Sequence, residues 1–169
     1  MDDSLTLRLA QPDDLGAVDA LLARSYPRLL KADYPPSIMV TLVPMIARAR
    51  PELLASGRYF VVADTAGRVL GAGGYSLSSP TARGSMRPDL GHIRHVATDP
   101  DMTRQGIGRR LMQAIFSAAG AEGVQRFECL STRTAVPFYA SVGFRVVGPV
   151  GVPMTPALSF PAIQMLHEA

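Results

Sequence analysis

Cysteine is almost absent from this chain, with one residue among 169. One cysteine cannot form an internal disulfide, which favours a reducing compartment. No apolar run reaches the roughly 18 residues that a membrane-spanning helix needs. Residues 1–4 include two aspartates and lack the apolar segment of a signal peptide. We therefore expect a cytoplasmic protein with no membrane partner.

Runs of basic residues are also missing. The formal net charge is only +3, and the arginines are scattered along the chain. This pattern gives weak support to nucleic-acid binding, whereas a small polyanionic ligand accounts for a few arginines equally well. The three histidines (His92, His95 and His167) lack the spacing of a zinc site and have no cysteine pair beside them, so we expect no metal.

Apolar residues, by contrast, are plentiful. They make up 47% of the chain, and charged residues make up 18%. This composition supports a sizeable core, and the length suggests a single domain over residues 1–169. Cys129 lies in the apolar-flanked run 127–130, so we interpret it as a small core residue. The alternative, a nucleophilic role, would need a histidine partner.

Hydrophobic periodicity predicts a mixed α/β chain in the order β-α-α-β-β-β-α-β-α-β-β. Alternating or short apolar runs predict strands at 5–9, 59–63, 69–77, 92–98, 124–130, 144–147 and 162–167. Apolar residues at helical spacing predict helices near 12–22, 37–49, 107–120 and 135–142, with a break at Pro27. Proline, glycine and polar residues predict loops at 78–90 and 149–161.

The first functional motif is a predicted strand-to-helix junction, Arg104-Gln105-Gly106-Ile107-Gly108. Two glycines spaced G-x-G allow the backbone to approach a ligand closely. The helix start offers unpaired N–H groups and the positive end of the helix dipole, so the junction predicts a phosphate or pyrophosphate site. A simple tight turn is the alternative. The chain has no Walker sequence, and Leu111 stands where a dinucleotide fingerprint needs a third glycine.

The second motif is Phe138-Tyr139-Ala140-Ser141-Val142-Gly143-Phe144. Gly143 allows a short helix to end and the chain to turn into the next strand, and Phe138 and Phe144 are most simply core anchors. A buried tyrosine needs a partner for its hydroxyl. A phenol is protonated at neutral pH, so Tyr139 is able to act as an acid. Packing with an incidental hydrogen bond is the alternative for Tyr139.

These two motifs, together with the order of elements, resemble motifs A and B of the GCN5-related N-acetyltransferase (GNAT) family. The resemblance covers nearly the whole chain and implies a twisted mixed sheet of about seven strands flanked by about four helices. It also implies acetyl-CoA as co-substrate, with the pyrophosphate held by backbone N–H groups of the glycine turn. The first position of the family pattern [RQ]-x-x-G-x-[GA] is usually Arg or Gln, and in this chain it is Thr103. Arg104 and Gln105 would take over part of the role of that usual side chain.

The resemblance also assigns residues to the co-substrate. By position, the N–H of Val96 would polarise the thioester carbonyl, and the backbone of Thr98 would hold the pantetheine amide. Thr132 replaces an asparagine that many members carry upstream of the F-Y pair. The implied binding set is Val96, Ala97, Thr98, Thr103, Arg104, Gln105, Gly106, Ile107, Gly108, Arg109, Thr132 and Phe138.

In the GNAT family, which the motifs resemble, a tyrosine at the position of Tyr139 protonates the departing thiolate. The attacking primary amine, with a pKa near 10, is mostly protonated at neutral pH, so a base is useful. The candidates are His92, His95 and Glu128. We favour His92, because histone-acetylating members carry a catalytic glutamate at its position and histidine suits base chemistry near neutrality. The alternatives are a water chain, an ordinary strand histidine hydrogen-bonded to a neighbour at either position, and a solvated or paired carboxylate at Glu128. Strand alternation predicts that His92 and His95 point to opposite faces.

The resemblance leaves the acceptor open as a small-molecule or peptide amine. It places the acceptor pocket at segments 26–37 and 149–161, where the candidate lining residues are Tyr26, Tyr34, Met154 and Phe160. Asp33 is nearly alone among acidic residues there, which argues against a strongly polycationic acceptor. We therefore expect an acetyl-CoA-dependent N-acetyltransferase, either monomeric or a homodimer. The alternatives are a non-catalytic acyl-CoA-binding module on the same fold and a nucleotide-phosphate binder.

Overall fold

A computed structural model describes residues 4–81 and 86–168, and their strands form one mixed sheet. The order across the sheet is β1-β2-β3-β4-β5-β7-β6. Every neighbouring pair is antiparallel except β4 and β5, which are parallel. The strands are β1 (Thr6–Leu9), β2 (Tyr59–Ala63), β3 (Val69–Ser76), β4 (Leu90–Thr98), β5 (Arg126–Ser131), β6 (Arg145–Pro153) and β7 (Ser159–Glu168). The predicted mixed α/β fold with about seven strands is confirmed.

Six α-helices occur within the described residues, and four of them are short. They are α1 (Leu15–Leu30), α2 (Pro36–Thr41), α3 (Val43–Ile46), α4 (Pro51–Leu54), α5 (Ile107–Ala121) and α6 (Val136–Ser141). The prediction of one helix over 37–49 is wrong, because Pro44 has no N–H to continue a helix and instead lies in the first turn of α3. The predicted break at Pro27 is also wrong, since α1 continues to Leu30, which is buried in a small apolar cluster. No helix of the described part is long and apolar enough to cross a membrane.

A long hairpin of β6 and β7 replaces the loop that we predict over 149–161. Pro149 and Pro153 are tolerated because β6 is the edge strand. On its solvent side no neighbouring strand needs the N–H that a proline lacks. Pro161 lies beyond the last pair between β5 and β7, which joins Ser131 to Ile163. The other predicted loop, 78–90, includes a bridge between Ser78 and Met86, and its residues 82–85 lie outside the described residues.

Two apolar clusters cover the two faces of the sheet. On one face α5 buries Ile107, Leu111 and Ile115 against β2 to β5, and on the other α1 buries Leu21 and Leu22. Each fully buried leucine or isoleucine contributes roughly 1.5–3 kcal/mol of transfer free energy. The Cys129 side chain belongs to the α5 cluster and is buried, which confirms its interpretation as a core residue.

The sheet opens between its two parallel strands. β4 and β5 pair only at Leu90 with Arg126, Gly91 with Phe127 and His92 with Glu128. Beyond these pairs β4 continues with β3, and β5 continues with β7, so the facing edges of β4 and β5 have no strand partner. This opening is a cleft in the middle of the fold with backbone groups along its walls.

Candidate active site

A cavity of about 930 Å³ occupies the cleft on the side of the glycine turn. We call it the turn cavity. All residues of the predicted co-substrate set line it except Gln105, whose side chain is exposed. Tyr139 also lines it. Further lining residues that we did not predict include Leu29, Leu30, Met102, Ser131, Thr134, Ala135 and Ser141. The two sequence motifs, which are separate in the chain, therefore meet around one space.

The backbone conformation of the turn leaves N–H groups at the start of α5 without helical acceptors. Gly106 is the N-cap of α5 with φ +78°, a left-handed conformation that favours glycine, and Arg104 has φ 63°. The N–H of Arg110 donates to the Gly106 carbonyl at 3.0 Å. The N–H groups of the preceding helical residues, 107–109, have no acceptor within the helix. No acidic side chain stands in this first turn to compete for them.

Gly108 joins the two motifs through packing. A Cβ atom at this position would lie 2.9 Å from Cε1 of the Phe138 ring. The absence of a side chain at Gly108 therefore allows α6 to approach the start of α5 and close one wall of the turn cavity.

Gly108→Ala is expected to weaken acyl-CoA binding about 10-fold and to destabilise the fold by about 1–3 kcal/mol, because Phe138 has to shift. Calorimetry with CoA and denaturant unfolding measure the two effects. Gly120→Ala is the matched control in the same helix, since a Cβ there meets no atom within 4 Å. The control should be neutral or up to about 1 kcal/mol more stable. Wild-type affinity in Gly108→Ala would show that the close packing of α6 plays no part in binding.

The turn is anchored to α1 by residues that the sequence analysis misses. Asp99 is buried, and its carboxylate accepts from the Arg24 Nε at 2.8 Å and from the Asp101 N–H at 2.9 Å. The Ser25 hydroxyl donates to the Thr98 carbonyl at 2.9 Å. Burial alone would raise the pKa of Asp99, but these donors and the nearby Arg68 outweigh it and lower that pKa. The pattern Asp99-Pro100-Asp101 is a helix-start signal that points to this capping role.

Tyr139 is buried at the inner end of the turn cavity. Its ring packs on Phe138 and Phe144, with centroid separations of 5.2 Å and 5.4 Å. Its hydroxyl faces the thiol of Cys129. Burial raises the pKa of Tyr139 well above its ordinary value and raises the pKa of the Cys129 thiol to about 12. Both groups are therefore neutral at physiological pH, and this place in the fold strongly disfavours a phenolate or thiolate.

A second cavity, of about 620 Å³, is lined by residues of α3, β4, β5 and the β6–β7 hairpin. We call it the His92 cavity. Within it His92 Nδ1 lies 3.3 Å from a Glu128 carboxylate oxygen, and the Gln164 amide donates to the other oxygen at 2.9 Å. The hydrogen bonds from His92 and Gln164 lower the pKa of Glu128 against the opposing effect of burial, so Glu128 is ionised at neutral pH. This arrangement orients His92 and leaves its Nε2 as the nitrogen with base capacity.

His95 also lines the His92 cavity, and the strand alternation on which the prediction of opposite faces rests is interrupted at His95. The physical reason is a β-bulge. The register of β4 against β3 shifts between Arg94 and Ala97, and His95 has φ 50°, which interrupts the alternation. Burial, aided by Arg94 and Arg50, lowers the pKa of His95 to about 4. Its Nδ1 is buried without a hydrogen-bond partner among the described residues.

Three of the four residues predicted to line the acceptor pocket lie around the His92 cavity. Tyr26, Met154 and Phe160 line the His92 cavity. Tyr34 does not, because its hydroxyl donates to the Pro161 carbonyl at 2.8 Å and its ring packs on Phe160. The segment 45–52, which the sequence analysis did not implicate, contributes lining residues. Among the residues described, no group of three or more His, Cys, Asp or Glu side chains is placed to hold a metal ion.

Comparison with known proteins gives the same family at the levels of sequence and fold. Residues 32–154 match the model of the acetyltransferase (GNAT) domain. A GCN5-related N-acetyltransferase of Rhodopseudomonas palustris superposes with a TM-score of 0.78 at 18% identity, over 100% of this chain and 98% of that chain. PaiA N-acetyltransferase of Thermoplasma acidophilum, solved with coenzyme A, gives a TM-score of 0.72 at 12% identity, over 98% and 99% of the two chains.

Two further relatives complete the comparison. The ribosomal-protein-S18-alanine N-acetyltransferase of Escherichia coli gives a TM-score of 0.63 at 18% identity, over 97% of this chain and 93% of that chain. An uncharacterized protein of Mycobacterium leprae is 31% identical over 97 residues, which are 57% of this chain and 26% of that protein's length. The matched domain model spans most of the chain and includes the glycine turn and the F-Y motif. With the sheet order and the cleft between β4 and β5, this match shows that the chain belongs to the GNAT family of acetyltransferases.

Proposed function

We propose that the chain is an acetyl-CoA-dependent N-acetyltransferase that transfers the acetyl group directly to a primary amine of a small molecule or peptide. One observation carries the proposal. The turn cavity and the His92 cavity meet, because five residues line both of them: Tyr26, Ile93, His95, Leu130 and Thr132. A thioester held in the first cavity and an amine held in the second would come together at the cleft between β4 and β5.

The turn cavity fits the chemistry of a CoA pyrophosphate. The backbone N–H groups at the start of α5 offer donors, and Arg104 and Arg109 add positive charge at the rim. The bound thioester supplies an activated acyl carbon. The N–H of Val96, within the bulged part of β4, is the group that we assign to polarise its carbonyl oxygen.

Cys129 indicates why the reaction needs an acid. Its thiol shares the buried environment of the Tyr139 hydroxyl, and its pKa is raised to about 12. A leaving thiolate in the same surroundings would be disfavoured for the same reason, since burial penalises the charged form. Tyr139 keeps its proton until such a charge develops, so it is the group that we assign to deliver a proton to sulfur.

His92 is the group that we assign to take the proton of the amine. Glu128 fixes the ring by its contact with Nδ1, and Gln164 fixes Glu128 in turn. This is a base held by an orienting carboxylate. His95 is a poorer base, because burial holds its pKa near 4.

Side-by-side calorimetry tests the donor. We expect acetyl-CoA and CoA to bind, while ATP and NAD at the same concentrations bind much more weakly, because the turn cavity extends from the glycine turn to Tyr139. Equal affinity for all four would instead favour the nucleotide-phosphate binder. The non-catalytic acyl-CoA module remains the second candidate on the same fold; it predicts tight CoA binding and no turnover.

A further inference from the structure

Three arginines line the His92 cavity without a carboxylate partner. They are Arg48, Arg50 and Arg94. No described carboxylate forms an ion pair with any of them, although six other arginines of the described chain are paired in this way: Arg8, Arg24, Arg28, Arg58, Arg68 and Arg126. Three guanidinium groups without an ion pair therefore line this one cavity.

Arg94 is the most buried of the three. It lies two residues after His92 on β4, so strand alternation directs both side chains to the same face of the sheet. Its Nη1 donates to the Ser76 hydroxyl at 3.2 Å, and the other guanidinium N–H groups have no hydrogen-bond acceptor within residues 4–81 and 86–168. Burial and the charge of Arg50 lower the pKa of Arg94. An anion in the cavity would stabilise the charged form of Arg94 and so oppose both effects.

The acidic residues of the cavity do not cancel these charges. Glu128 already accepts hydrogen bonds from His92 and Gln164. Glu52 lines the cavity and interacts favourably with the charge of Arg94, but it forms no ion pair with the three arginines. Two carboxylates, those of Glu52 and Glu128, thus face three guanidinium groups, so the arginines stay in excess by one charge.

The rest of the lining is mostly apolar. It comes from the short helices and from the β6–β7 hairpin, and includes Met45, Ile46, Val152, Met154, Phe160 and Ala162. This surface favours an acceptor with an apolar body rather than a sugar or a polyamine.

We infer that the acceptor is an amine that also carries a carboxylate and an apolar side chain, in the manner of a free apolar amino acid. Arg94 binds the carboxylate, Arg48 and Arg50 attract it at the mouth of the cavity, and the apolar wall holds the side chain. Guanidinium groups suit this role because their planar donors match the two oxygens of a carboxylate. The inference rests on the proposed function, since it names the acceptor for the same site.

The test is binding to the CoA-loaded protein, so that it does not depend on turnover. The probes are leucine, methionine and phenylalanine, each compared with its own amide, which keeps the amine and the side chain but removes the negative charge. We expect each free acid to bind about 10- to 100-fold more tightly than its amide.

Variants identify the residues responsible. Arg94→Gln should remove most of the preference for the acid, and Arg48→Gln with Arg50→Gln should reduce it further. Binding of the amides should change little. Arg145→Gln, which removes the same charge at an exposed residue outside both cavities, is the matched control and should keep the preference.

The outcomes separate this inference from the proposed function. Acid-selective binding that depends on Arg94 supports the inference even if acetyl transfer is absent, in which case only the proposed activity fails. Equal binding of acids and amides, or no binding of any of the six probes, overturns the inference. Transfer to other amines in that situation would leave the proposed activity standing.

Discussion

Tyr139→Phe is expected to lower kcat about 100-fold while acetyl-CoA affinity stays nearly unchanged. The variant removes the hydroxyl of Tyr139, which is its only proton donor, and leaves the ring in place. General acid catalysis contributes about 10²- to 10⁴-fold to the rate. The ring contacts with Phe138 and Phe144 remain, so the fold and the turn cavity should persist. Steady-state kinetics and calorimetry with CoA measure the two quantities separately.

Tyr75→Phe is the matched control for that experiment. Tyr75 is also buried in the α5 cluster, but it lines neither cavity, and its hydroxyl lies near Arg58 and Glu122. It should therefore keep kcat. An unchanged kcat in Tyr139→Phe would contradict the acid role and would favour the interpretation of Tyr139 as a packing residue.

His92→Gln is expected to lower kcat/KM about 100-fold at neutral pH, with the loss shrinking as the pH rises toward 10. The reason is that an amine with a pKa near 10 becomes neutral by itself at high pH and no longer needs a base. The measurement is a pH profile of kcat/KM for the variant and the wild type. Only the loss of a base produces this convergence, because a misfolded or mispositioned site loses activity at every pH.

Two further variants sharpen the assignment. Glu128→Gln leaves His92 in place but removes the carboxylate that orients it, so we expect a smaller loss than in His92→Gln. His167→Gln is the control histidine, since His167 lines neither cavity and packs on Phe116. Its thermal unfolding should be compared with the wild type before its kinetics are interpreted. A pH-independent loss in His92→Gln would assign His92 a structural role and leave proton removal to water.

The features that the sequence predicts well are those set by local backbone chemistry. The position of Gly106 at the helix start can be predicted because a left-handed N-cap favours glycine, and Gly106 has φ +78°. The burial of Tyr139 beside Phe138 is predicted because both residues stand in one short motif. The buried strands can also be predicted, because each of them contains a run of apolar residues.

The features that the sequence does not predict depend on tertiary register. The bulge at His95 arises where β4 and β3 slip by one residue, and no local sequence signal marks that slip. The bond from Arg24 to Asp99 joins residues that are 75 positions apart. The hairpin through Pro149 is predicted as a loop, because a proline is acceptable in a strand only at the sheet edge, and the position of β6 at the edge is a property of the whole fold.

The most direct test of the central claim is a paired assay of thiol release and N-acetylated product, with acetyl-CoA and a panel of primary amines that includes the apolar amino acids, their amides and unrelated amines. The account predicts amine-dependent release of CoA thiol, matched one-to-one by acetylated amine and reduced in Tyr139→Phe. Tight CoA binding with thiol release at the background rate for every amine would contradict it and would favour a protein that binds acyl-CoA without transferring the acyl group.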